Sequence, residues 1–248
     1  ETGRFNEMLG FHKIKISSFF MIILFTYLMM PLTTVLNAIS MLFVDNAVNS
    51  ISGDVLMMPF PVMLFMIGMF GPFCEEFAFR GVIFRGYKNS GSVFWSIFWS
   101  ALLFGLMHLN FNQAAYAIAI GVLFGLLVEA TGSLWSSVIA HMVFNSHQVC
   151  LMYLSEFFPS DLVADEAELT QELLISAIGP YLIIAAVATP LAICVLVWLS
   201  KNEKREIELC SIWARRKVKR EAMVSIPLII AIVICLAYMS LEWIMALL

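Results

Sequence analysis

Seven predominantly apolar runs, near 17–43, 56–84, 91–110, 113–130, 133–155, 173–200 and 224–247, approach or exceed the ~20 residues a helix needs to cross a hydrocarbon core. No other feature limits the fold so tightly. In lipid every backbone polar group must be satisfied internally, and a helix does this within one segment. A chain of 248 residues that is 61% hydrophobic and 13% charged, with a mean hydropathy of +0.91, is too apolar for a water-soluble domain. The expected fold is all-α, a polytopic transmembrane bundle of about seven spans. The lipid bilayer is the first partner implied, and no nucleic acid is expected.

The net charge of -4 matters less than where the charges fall. Of 14 Lys and Arg residues, only Arg80 lies inside a span. Arg4, Lys13 and Lys15 precede the first span, Arg85 and Lys88 follow the second, and Lys201 to Arg220 follow the sixth. Seven spans put all of these on one side, opposite Asp45, Asp54 and the acidic run Asp161, Asp165, Glu166, Glu168 and Glu172. By the positive-inside rule the N-terminus is cytoplasmic in a multi-pass cell-membrane protein. The opening Glu1-Thr2-Gly3 reads as an expression scar or processed end, residues 1–16 as a cytoplasmic leader, and 17–248 as one membrane domain.

Several features read as packing. Gly121-x-x-x-Gly125 lets helices approach closely. Thr26, Thr33, Asn37 and Ser40 share a face and are expected to bond to neighbouring helices, while Pro31, Pro180 and Pro190 are expected to kink theirs. The five cysteines have neither metal nor disulfide spacing. Residues 156–172 form an acidic loop in which Ser160 can cap a short helix. Residues 201–222, with eight basic side chains beside Ile207, Leu209, Ile212 and Trp213, suit a helix lying on an anionic membrane face, or simply a positive stop.

Polar groups inside the apolar runs carry the chemistry, because ionisable residues are costly in lipid and usually mark function there. Glu76 and Arg80 are i, i+4 in the favourable order for an ion pair, while Glu75 points about 100° away and is free to meet another helix. Phe104 and His108 share a face at the end of the third span. His141 and Asn145, again i, i+4, offer an imidazole and an amide as a donor pair for an oxyanion. Glu75, His108 and His141 count to the middle part of their spans. His147 and His12 read as bystanders.

The segments Glu75-Glu76-Phe77-Ala78-Phe79-Arg80-Gly81, Phe104-Gly105-Leu106-Met107-His108, and Thr131-Gly132-Ser133-Leu134-Trp135 leading to His141 and Asn145, resemble the motifs of the CPBP family. These are CAAX prenyl endopeptidases and bacterial relatives linked to bacteriocin processing and self-immunity. The resemblance covers about residues 55–150 and looks more like the bacterial branch, which implies a bacterial cytoplasmic membrane. It implies an intramembrane endopeptidase in which Glu75 and His108 activate water, His141 and Asn145 stabilise the oxyanion, and Glu76 with Arg80 shape the site. Family members have also been described as metalloproteases, so Glu75, His108 and His141 are a possible zinc set. A metal-free glutamate mechanism is favoured, since there is no His-Glu-x-x-His pattern and Glu with His can activate water unaided. The expected substrate is a membrane-associated peptide or small membrane-protein precursor. Two alternatives stand beside this reading: a non-enzymatic immunity or scaffold protein, and a small proton-coupled transporter, which would be expected to carry inverted repeats.

Overall fold

The computed structural model describes residues 8–44, 46–89, 92–156, 171–214 and 224–246. Within them nine helices follow one another: α1 (Ile16–Met41), α2 (Ala47–Leu56), α3 (Phe60–Asn89), α4 (Val93–Leu106), α5 (Phe111–Thr131), α6 (Leu134–Ser155), α7 (Gln171–Asn202), α8 (Glu206–Ala214) and α9 (Ile226–Ala246). No strand occurs among the described residues. Ser160 and the acidic residues from Asp161 to Glu168, Asp45, and the basic residues from Arg215 to Arg220 lie outside them, as does Arg4.

Among the described residues five helices are long and apolar enough to cross a membrane: α1, α3, α5, and most of α7 and α9. The other two expected spans differ for physical reasons. α4 has only 14 residues, and α6, at 22, has its apolar character diluted by His141, Asn145, Ser146, His147 and Gln148. The boundaries follow local chemistry. Asn110 caps α5 by accepting from the Gln113 amide, Gly132 ends it at φ 73°, and Ser133 caps α6 by accepting from the Trp135 amide.

The core is made by Ile22, Phe25 and Met29 of α1, Phe79 of α3, Phe104 of α4, Phe124 and Leu127 of α5, Phe144 of α6 and Leu199 of α7. Apolar side chains also cover the outside, among them Ile183, Val187 and Ile193 of α7 and Val233 and Ile234 of α9, as suits a surface facing lipid. α4 and α5 pack as their small residues predict. A Cβ on Gly121 would lie 2.8 Å from the Ala101 Cα, and one on Gly125 would lie 3.1 Å from Ile97. One packing expectation is corrected. Thr26 and Thr33 turn their hydroxyls back to the Ile22 and Met30 carbonyls of their own helix, the local satisfaction short polar side chains favour in apolar surroundings, while Asn37 and Ser40 do reach Asn112 of α5.

The helices run between two ends. At one, the segment before α1 meets the α5–α6 turn (Leu134 N–H to Gly10 O, Ser133 hydroxyl to His12 O), the Lys15 amide bonds Glu203 after α7, and Lys88 and Arg205 converge on Glu129. At the other, α1 meets α5 through Asn112, the Tyr153 hydroxyl donates towards the Val55 and Met58 carbonyls, and the Trp243 indole donates to Phe43 O. The described segments that carry basic residues therefore meet at a single end.

Candidate functional site

Two π-helical stretches, Leu64–Phe70 and Phe77–Phe84, flank the α-helical turn Gly71–Glu76 in α3. The wider turns shift the carbonyl ladder, and side chains from other helices use the displaced acceptors. Asn145 Nδ2 donates to Ile67 O at 3.2 Å, the Ser146 hydroxyl to Gly68 O at 3.2 Å, and the Ser100 hydroxyl to Phe79 O at 2.9 Å. Gly68 permits this seam, because a Cβ there would lie 2.7 Å from the Ser146 Oγ.

This arrangement presents both carboxylates of α3 to α6. Glu76 is fully buried, and its Oε1 accepts from Arg80 Nη1 at 2.8 Å and meets His141 Nδ1 at 3.0 Å. The other imidazole nitrogen, Nε2, lies 3.9 Å from Glu75 Oε2. Glu75 keeps 26% of its side chain exposed where Glu76 keeps none, so Glu75 is the carboxylate that solvent or substrate can reach. Arg80, also fully buried, donates a second bond to Gly121 O at 3.1 Å and stacks 4.3 Å over the Phe104 ring and 5.5 Å from that of Phe124. Desolvated charges persist only when paired and hydrogen-bonded, and this guanidinium has both kinds of partner plus two aromatic faces.

His108 lies just beyond the end of α4, whose last residue is Leu106, in the connection to α5. Leu109 at φ 55° and the Asn110 cap end the helix early. The 14 residues of α4 rise about 21 Å, short of the ~30 Å hydrocarbon core. His108 Nδ1 lies 2.9 Å from Phe104 O; a carbonyl only accepts, so Nδ1 carries a proton, and in the neutral ring Nε2 is the free acceptor. The Phe104 ring is 5.3 Å from the His108 ring and 5.7 Å from that of His141, one aromatic wall between the two imidazoles.

Four of the residues singled out in the sequence, Glu75, Glu76, Arg80 and His141, thus form one contiguous cluster; His108 flanks it across Phe104, and Asn145 sits one turn beyond His141 against the first π-helical stretch. Phe124, tilted 5.3 Å from the His141 ring, and the Gly121 carbonyl also belong to it. The small-residue spacing around Gly121 hinted only at packing. His147 rests edge-on against Tyr27 and His12 is exposed. Among the described residues no group of three His, Cys, Asp or Glu side chains is placed to share an ion. His141 Nδ1 meets Glu76 and His108 Nδ1 meets Phe104 O, contacts that orient each ring and leave its Nε2 open.

Residues 57–147, which contain all six motif residues, match the family model described as Type II CAAX prenyl endopeptidase Rce1-like. The chain is 28% identical over 91 residues to a Bacillus subtilis (strain 168) protein named "Putative membrane peptidase YdiL", covering 37% of each. It is 32% identical over 101 residues to the "Membrane-embedded CAAX protease MroQ" of Staphylococcus aureus (strain USA300), covering 38% of this chain and 41% of that one. The matched segment thus spans about two fifths of these relatives. No solved structure matches the chain. The resemblance read from the motifs is borne out over the segment that carries them.

Proposed function

We propose that this protein is an intramembrane endopeptidase that hydrolyses a peptide bond in a membrane-associated peptide or small membrane-protein precursor. The observation that carries this reading is the single imidazole of His141 set between a buried, arginine-paired carboxylate at Nδ1 and a partly exposed carboxylate at Nε2. Glu76 cannot donate while ionised, so Nδ1 holds a proton. Donation from Nε2 as well requires the doubly protonated ring, in which the charges of Glu75, Glu76, Arg80 and His141 sum to zero and Nε2–H faces the open side of the site.

In this reading Glu75 takes a proton from water as the oxygen attacks the scissile carbonyl carbon, assisted by the free Nε2 lone pair of His108. The carbonyl oxygen becomes an oxyanion that accepts from His141 Nε2–H and from the Asn145 amide. As the intermediate collapses and the C–N bond breaks, Glu75 returns the proton to the leaving amine. Arg80 and Glu76 touch neither water nor substrate; they fix the tautomer and orientation of His141. No step needs a metal. Stoichiometric zinc in active protein, lost together with activity on chelation, would contradict this.

The similarity to proteins named as membrane peptidase and CAAX protease supports the same class of reaction. The test is reconstitution in phospholipid vesicles with a library of membrane-anchored peptides. New peptide termini are expected with the native chain and not with His141→Ala. Equal products from both, or none from either while the native chain is folded, would contradict the proposal.

A further inference from the structure

At the basic end, away from the cluster around His141, a cleft of about 300 Å³ is lined by His12, Arg85, Lys88, Glu129, Gly132 and Arg205 among others. Its floor is an acid the apolar pattern hides. Glu129, in the last turn of α5, is 2% exposed, and both its oxygens lie 2.7 Å from Lys88 Nζ. Arg205 adds a contact at 3.3 Å to Glu129 Oε1 and spends its other terminal nitrogen on Glu208 at 3.3 Å.

Those pairs commit Lys88 and Arg205, while Arg85 feels the Glu129 carboxylate only from beyond ion-pair distance. Its Nε is buried without a hydrogen-bond partner, and it has no ion pair among the described residues. Its guanidinium lies across Gly10, which at φ 80° and with no Cβ gives it room; any side chain at Gly10 would collide with Arg85. An always-charged guanidinium held over a backbone made to fit it, beside two further cations already paired with Glu129 and Glu208, leaves one positive charge of the site without a close counter-anion. The surroundings indicate the source. Trp135, 39% exposed, follows the Gly132–Ser133 turn, and Trp213, 61% exposed, projects from α8; indole rings at such positions mark the headgroup level of a bilayer.

We propose that the Arg85 cleft binds the phosphate oxyanion of an anionic lipid headgroup, with His12, Lys88 and Arg205 around it. This is independent of the proteolytic reading. Binding pins the segment before α1, the end of α3, the α5–α6 turn and the α7–α8 turn together at the membrane surface.

The purified full chain in neutral detergent is titrated with dioleoylphosphatidylglycerol or dioleoylphosphatidylcholine and followed by thermal unfolding and by native mass spectrometry of retained lipid. Phosphatidylglycerol is expected to raise Tm more than phosphatidylcholine does, in the native chain and in Lys201→Gln, which removes an exposed charge outside the cleft. In Arg85→Gln, and in His12→Glu, which supplies an internal carboxylate from an exposed position, the extra shift falls to half or less. His12→Glu serves as the folded variant if Arg85→Gln does not fold. Equal shifts in all four proteins, or no preference over phosphatidylcholine, overturn the site. Inorganic phosphate alone reproducing the Arg85-dependent shift keeps the oxyanion site and overturns the lipid as its source.

Discussion

The imidazole of His141 meets the Glu76 carboxylate through Nδ1 at 3.0 Å and turns its Nε2 towards Glu75 Oε2, 3.9 Å away. One ring is thereby oriented by a carboxylate that solvent does not reach and turns its other nitrogen towards one that it does.

Glu76 and Arg80 are expected to behave as a unit. Removing one partner of a buried pair typically costs about 3–5 kcal/mol because the other charge is left bare, so Glu76→Gln and Arg80→Met should each destabilise the protein strongly. The double variant should lose less than the sum. Unfolding curves of the four proteins in detergent measure the coupling; strict additivity would contradict it.

Asn145→Ala is expected to lower kcat about 100- to 1000-fold, the usual effect of deleting one oxyanion donor. Ser146→Ala, which loses a similar bond to the same π-helical stretch, should leave cleavage nearly unchanged. Similar losses in the two variants would mean that Asn145 only braces α3.

His108→Ala should slow cleavage by about 100-fold or more while shifting Tm little, since the ring is only partly buried. Added imidazole should restore part of the rate. A variant that cleaves as fast as the native chain would remove His108 from the reaction.

Gly121→Ala pushes a methyl to 2.8 Å from the Ala101 Cα and 3.2 Å from Arg80 Nη2. Overpacking of this kind costs roughly 1–3 kcal/mol, and here it should also disturb the Arg80 bond to Gly121 O. Thermal unfolding and cleavage rate are expected to fall together.

The Glu76–Arg80 pair was legible in the sequence because a spacing of four on a helix fixes it whatever the rest of the fold does. Glu75 was only half legible. Its separation from Arg80 follows from helical period, but its convergence with Glu76 on one ring depends on the π-helical turns of α3 and on how α6 crosses them, and neither has a clear sequence period. The early end of α4 was signalled by Asn110 followed by Gln113, a capping pattern that the continuous apolar run around it obscured. Glu129 escaped for the opposite reason. It lies inside an apolar span, and its partners Lys88 and Arg205 are 41 and 76 residues away in the chain. Long-range pairing of that kind appears only once the helices are packed.

The most direct measurement is the cleavage rate of Glu75→Gln in phospholipid vesicles, beside its Tm. The amide nearly preserves the shape of the carboxylate but cannot take a proton from water. Proteolysis should be abolished while Tm stays close to that of the native chain, because Glu75 is partly exposed and outside the buried pair. A folded Glu75→Gln protein that still cleaves at the native rate would contradict the account.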